Sequence, residues 1–224
     1  MKLLLIRHGD PNYANDTLTD TGHRQAKHLA EGLVNVRIDR LVVSPLGRAQ
    51  HTADYLIRLK KLDFETLDFL KELRGRYDDT RYAWDYHGCD LLSPGHDITK
   101  SNWPELVPYG KHMAPVYQEF ISQFDAFISD FGLERSGHVY KINRTNDETI
   151  AVVCHAGVIK TLLSHLLHIP LPVVYSQFRI DPSSVTRLRL ERKKGLGVFR
   201  LVSLNDMSHT GSLPESTEYR TPKT

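Results

Sequence analysis

Apolar residues fall into three kinds of run along this chain. Leu3 to Ile6, Leu41 to Val43 and Ile150 to Val153 are unbroken. Such runs predict strands buried on both faces, as in a parallel sheet. Other stretches have helical spacing. Ala26, Leu29, Ala30 and Leu33 share one face of a helix that Thr19 or Asp20 can cap. Ala49, Ala53 and Leu56 lie on a second helix, Val116, Phe120, Phe124 and Phe127 on a third, and residues 158–167 on a fourth. The third kind alternates. Residues 183–190 and 197–204 read as two strands joined across the Lys193-Lys194-Gly195 turn. Weaker alternation predicts short strands over 64–70 and 138–142. Strand alternating with helix implies an α/β fold with a parallel sheet.

Between about 76 and 111 the periodicity disappears. Gly, Pro, Asp and the aromatics Tyr77, Tyr82, Trp84, Tyr86, Trp103 and Tyr109 take over. A loop of this length inside a compact domain is usually functional, and a lid is expected here. The predicted domain covers 1–204 with this insertion, and 205–224 is a polar tail.

Two of the unbroken strands end alike. The first runs into Arg7-His8-Gly9, the second into Cys154-His155-Ala156-Gly157, with a helix start directly behind it. Ligands of open α/β sheets bind outside the carboxyl ends of the strands, and helix N-termini favour anions. Arg48 falls in the first turn of the helix behind the Asp39–Ser44 strand and can share that crevice. Two guanidinium groups and two imidazoles suit a phosphate. Arginine offers a planar fork of donors, and a neutral imidazole with one nitrogen tied down can attack phosphorus with the other. The leaving alkoxide then needs a proton. Glu72, just after a predicted strand end, is the best-placed acid, with Asp10 its rival.

Composition narrows the class. A chain of 224 residues fits one α/β domain with an insertion, and a net charge of +2 gives no reason to expect nucleic acid or a membrane surface. Two cysteines are too few for a disulfide framework. The N-terminal apolar run is shorter than a signal peptide, and no run reaches the length of a membrane span, so a cytoplasmic protein is the default expectation. The histidine pairs His23/His28 and His165/His168 lack the partners of a zinc motif, so no metal is expected. Oligomeric state is not readable.

The ordered set Arg7-His8-Gly9, Leu18-Thr19 with Gly22 and Gln25-Ala26, Ser44-Pro45-Leu46-Gly47-Arg48-Ala49, Leu70-Lys71-Glu72 and His155-Ala156-Gly157 resembles the histidine phosphatase superfamily, the phosphoglycerate-mutase-like proteins. Asn205-Asp206 with His209 also resembles a tail of its phosphatase members. The resemblance implies a three-layer α/β sandwich with a mostly parallel central sheet, helices on both faces, one antiparallel edge strand and an inserted lid. It implies His8 as the nucleophile, Arg7, Arg48 and His155 as holders of the phosphoryl group, and Glu72 as proton donor. Gly9, Asn12, Ala156 and His209 are further candidates for contact with a small phosphorylated substrate, and no cofactor is implied. Ala156, where the acid phosphatase and phytase branch has Asp, places the chain with the other branch. The expected activity is phosphomonoester hydrolysis. A mutase, and a non-catalytic phosphate-binding domain, are the alternatives. The stretch 72–77 departs from the mutase pattern, and 74–111 holds five basic against six acidic residues, a poor clamp for a doubly phosphorylated intermediate.

Overall fold

The computed structural model describes residues 1–76, 80–83, 88–91, 97–106 and 109–211. In chain order the elements are β1 (Lys2–Arg7), β2 (Pro11–Asn12), β3 (Thr17–Leu18), α1 (Asp20–Gly32), β4 (Arg40–Val43), α2 (Gly47–Lys60), β5 (Glu65–Thr66), α3 (Gly88–Leu91), α4 (Tyr109–Ser129), β6 (Leu133–Ser136), β7 (Val139–Ile142), β8 (Thr149–Cys154), α5 (Ala156–Leu167), α6 (Leu171–Gln177), β9 (Val185–Lys193) and β10 (Leu196–Asp206). Eight strands form one sheet in the order β5-β4-β8-β1-β9-β10-β7-β6, and β2 pairs with β3 in a separate hairpin.

The unbroken apolar runs sit where burial on both faces requires them. Leu3, Leu5, Ile150 and Val152 join one core cluster with Phe120, Phe124 and Ile128 of α4 and Val158, Leu162 and Leu166 of α5. Leu4, Ile6, Ala151 and Val153 face the other side, against Leu29 of α1, its C-cap Leu33, and Ala53 and Leu56 of α2. Alternate residues of one strand thus feed two layers, and the fold is an α/β sandwich with helices on both faces. Its antiparallel part is wider than the single edge strand expected. β9, β10, β7 and β6 all run antiparallel to their neighbours; the β6–β7 and β9–β10 turns are too short for the crossover that parallel pairing needs.

Other boundaries shift for local reasons. The weak strand expected over 64–70 is the two-residue β5 followed by a 3-10 turn at Asp68–Leu70. Thr19 caps α1, accepting the Gly22 N–H at 3.1 Å. α6 has no counterpart in the predicted elements. Pro170 is its N-cap and Pro172 lies in its first turn, where proline's missing N–H costs nothing. β10 continues through Asn205 and Asp206, past the boundary expected at 204.

In the expected lid, Trp103 and Tyr109 are packing residues. With Ala83, Met113, Tyr117, Leu171 and Tyr175 they make a third buried cluster joining the insertion to α4 and α6. Tyr77, Trp84 and Tyr86 lie outside the described residues. No helix among the described residues is long and apolar enough to cross a membrane.

Candidate active site

Parallel pairing aligns three strand ends. β8 pairs in parallel with β1 on one side, Arg7 opposite Cys154, and with β4 on the other, Val43 opposite Val153. The His8 N–H bonds to the Cys154 carbonyl at 3.0 Å and the Ser44 N–H to the Val153 carbonyl at 2.9 Å. His8, Ser44 and His155 therefore emerge side by side. The antiparallel β9 delivers a fourth wall. The Arg7 N–H bonds to the Ser184 carbonyl and the Ser183 N–H to the His8 carbonyl. Residues 180–184 so line the backbone of Arg7-His8.

The His8 and His155 rings are 5.1 Å apart between centroids, both almost completely buried. His8 Nδ1 lies 2.7 Å from the Gly9 carbonyl. A carbonyl only accepts, so Nδ1 carries the ring proton and Nε2 keeps its lone pair. Arg48 Nε donates to that Nε2 at 3.3 Å. Burial, then the positive charge of Arg7 and the neighbouring His155, push the His8 pKa well below 6.5. Burial and the two arginines lower His155 to about 2. Both rings are neutral over the ordinary pH range. His155 Nε2 meets Ser44 Oγ at 2.7 Å, while its Nδ1 is enclosed and has no partner among the described residues.

The arginines are anchored from different directions. Arg7 Nη1 donates to the Ile180 carbonyl at 2.7 Å. Asp181, the next residue, is gripped by Asn205, which accepts its N–H at 2.6 Å and donates Nδ2 to its carboxylate at 2.7 Å. Arg48 pairs through Nη1 with Asp16 Oδ1 at 2.5 Å, and the other Asp16 oxygen accepts the Gly47 N–H at the start of α2. Tyr13 lies over the Arg48 guanidinium at 5.4 Å. The β2–β3 hairpin thus holds Arg48 against His8.

Two close approaches require glycine. A Cβ at Gly9 would stand 2.7 Å from the Gly22 carbonyl oxygen, so the turn after His8 packs on the start of α1 only without a side chain. A Cβ at Gly157 would stand 2.5 Å from Glu72 Oε1. Without it, the Gly157 N–H donates to Glu72 Oε2 at 3.4 Å, and Leu73 N–H to Oε1 at 3.0 Å. Burial raises the Glu72 pKa, although Arg7 and these N–H groups pull the other way.

Arg7, His8, Arg48, Glu72 and His155 are therefore brought together. Ala156 opens α5 beside His155. Asp10 is buried, accepting from Thr19 Oγ1 at 2.7 Å while its N–H bonds to Gln25 Oε1, so it ties the turn to α1. Asn12 lies in β2, paired with Thr17, in the hairpin that carries Asp16. His209 reaches Ser183 Oγ at 3.1 Å and packs on Gly32; burial lowers its pKa to about 4. It is a neighbour of the 180–184 wall and not of the imidazole pair. Ser44 and Asp16 escape the sequence reading. Ser44 is a hydroxyl at a strand end, a signal that was present; nothing in the polar hairpin marks Asp16.

A sequence model of the histidine phosphatase superfamily (branch 1) matches residues 3–206. The chain belongs to that superfamily. As a branch 1 histidine phosphatase it is 25% identical over 206 residues to the adenosylcobalamin/alpha-ribazole phosphatase of Escherichia coli, covering 86% of this chain and 92% of that one. Its fold matches a phosphoserine phosphatase of Entamoeba histolytica at TM-score 0.64 and 22% identity, over 93% of this chain and 98% of that one. It also matches the alpha-ribazole phosphatase of Shigella flexneri at TM-score 0.58 and 24% identity, over 92% and 97% of the two chains.

Proposed function

We propose that this histidine phosphatase hydrolyses small phosphomonoesters through a covalent phosphohistidine on His8. The observation that carries the reading is the single tautomer left to His8, whose Nδ1–H donates to the Gly9 carbonyl, with a neutral Nε2 beside Arg48. In the first step Nε2 attacks phosphorus, a P–N bond forms and the P–O ester bond breaks. The leaving alkoxide takes a proton from Glu72, whose pKa burial raises, as suits a proton donor. Arg7 and Arg48 face the charge spread over the transferring oxygens.

His155 adds a directed donor. Leu46 N–H donates to Ser44 Oγ at 3.3 Å. The Ser44 hydroxyl can then give its own proton to His155 Nε2, which leaves Nδ1–H for a phosphoryl oxygen. In the second step water attacks phosphorus, the Glu72 carboxylate takes its proton, and the P–N bond breaks to release phosphate and the neutral imidazole.

p-Nitrophenyl phosphate tests hydrolysis, and rapid acid-free quenching with mass spectrometry tests for phosphate on His8. Equal, slow release by wild type and His8→Ala removes the reading. The relatives' names supply the first natural candidates, α-ribazole phosphate and phosphoserine, for a comparison of kcat/KM.

A further inference from the structure

At the far end of α5 from the catalytic groups lies a second cavity, of about 320 Å³, lined among others by Lys100, Trp103, Tyr117, Arg135, His138 and His168. His165 stands nine positions after Ala156, which at 1.5 Å per residue is roughly 13 Å along the helix. Nothing in the proposed reaction uses this cavity.

Its floor is a fully ordered polar chain. Lys100 Nζ donates to Tyr117 Oη at 2.8 Å and to Ser164 O and Oγ at 3.0 Å. Tyr117 Oη faces His165 Nδ1 at 3.4 Å, and His165 Nε2 faces Asp125 at 2.9 Å. Tyr140 Oη also donates to Asp125, at 2.8 Å. Proton directions follow without conflict: lysine to tyrosine, tyrosine to Nδ1, Nε2–H to carboxylate. Asp125, the carboxylate lining the cavity, is thereby committed to tyrosine and histidine.

The cations are not balanced in the same way. Among the described residues neither Lys100 nor Arg135 has a carboxylate within ion-pairing distance. Arg135 is held in place, its Nε on the Gly137 carbonyl at 2.8 Å and its guanidinium over the Tyr140 ring at 4.8 Å. Its side chain also hydrogen-bonds to Tyr140. The positive field of Arg135 lowers the pKa of Lys100, His165 and His168, with burial the larger cause in each case. His168 Nε2 lies 2.7 Å from the His138 carbonyl, and its Nδ1 is enclosed, with no partner among the described residues. The C-terminus of α5 contributes only about half a negative charge. Two full cations against one carboxylate outweigh it.

We propose that this cavity is a second binding site, for a small oxyanion-bearing molecule. Arg135 and Lys100 supply the charge, and Trp103 and Tyr117 an aromatic wall. The volume suits a small metabolite. Phosphate and carboxylate share the required chemistry. Because the site joins Lys100 of the insertion to α5, its occupant bridges the insertion and the helix that opens beside His155.

Equilibrium dialysis of the full chain against labelled inorganic phosphate counts the sites. Two phosphates per chain are expected for the wild type. Arg135→Gln should weaken the second at least tenfold while leaving turnover of p-nitrophenyl phosphate within about twofold, and Arg135→Lys should restore it. Arg48→Ala should remove the catalytic phosphate and keep the distal one. Displacement from Arg48→Ala by malonate, against displacement by phosphoserine, separates carboxylate from phosphate as the preferred group. Circular dichroism establishes that each variant is folded; should Arg135→Gln not fold, Lys100→Met takes its place with the same expectation. One phosphate per chain in the wild type, or two in a folded charge-deleted variant, overturns the proposal. This outcome is independent of whether His8 is the nucleophile.

Discussion

His8 and His155 close two strands that read alike, and each is followed within two residues by glycine. Their surroundings separate them. After His8 the chain turns through Gly9 into the β2–β3 hairpin, and the Gly9 carbonyl accepts a hydrogen bond from Nδ1–H. After His155 the chain enters α5 at once, and the ring turns instead to Ser44. One imidazole thus offers a lone pair beside Arg48, while the other keeps an unmatched ring nitrogen. Identical side chains acquire different chemistry from which ring nitrogen the backbone or a neighbour occupies.

The sharpest break of that comparison is His8→Ala. Without Nε2 there is no phosphoenzyme, and turnover should fall by more than about 10⁴-fold. Glu72→Gln comes next, about 10³-fold for a poor leaving group. For p-nitrophenol, which leaves with little protonation, the loss of the first step should be small. In wild type, kcat/KM for a poor leaving group should decline as pH rises through the raised Glu72 pKa, and Glu72→Gln should lack that limb. His155→Ala removes a donor from the phosphoryl group and should cost about 10²-fold while still forming phosphohistidine, visible by mass spectrometry. Ser44→Ala acts on the reaction through the His155 ring, and also frees the Leu46 N–H. About tenfold in kcat is expected, the worth of roughly one hydrogen bond.

Stability should report the same pair. Both histidines are neutral in the fold and bind protons near pH 6.5 when unfolded. A depressed folded pKa gives stability that is complete above 6.5 and is lost as pH falls. Between pH 6.5 and 5.5 each should cost about 1 kcal/mol. Glu72 has the opposite sign, its contribution full below its unfolded pKa and lost as pH rises through the raised folded value. Urea unfolding at the two pH values, with His155→Asn showing a smaller change than wild type, checks the assignment.

The local pattern made much of this readable. Runs such as Leu3–Ile6 announce strands buried on both faces, and their abrupt ends mark Arg7, His8 and His155. Arg48 and Glu72 followed from their places next to strand ends. α6 stayed hidden because its two prolines look like a break, although they sit where a helix tolerates them. Trp103 and Tyr109 read as lid aromatics, yet their burial with Met113 and Tyr175 is a property of packing partners more than sixty residues away in part. Asp16, a polar residue in a polar turn, carries no local mark of its bond to Arg48.

Periodicity, strand-end histidines and the ordered motifs, all local properties of the chain, were enough to reach the α/β class and the family and to single out candidate residues for phosphate chemistry. Strand order, the wider antiparallel half, the Asn205 grip behind Arg7, the tautomer of each imidazole and the cationic cavity at the far end of α5 came only with the folded molecule. Each depends on which distant backbone carbonyl, hydroxyl or carboxylate lies within about 3 Å of a given atom, and that distance is settled by packing between segments.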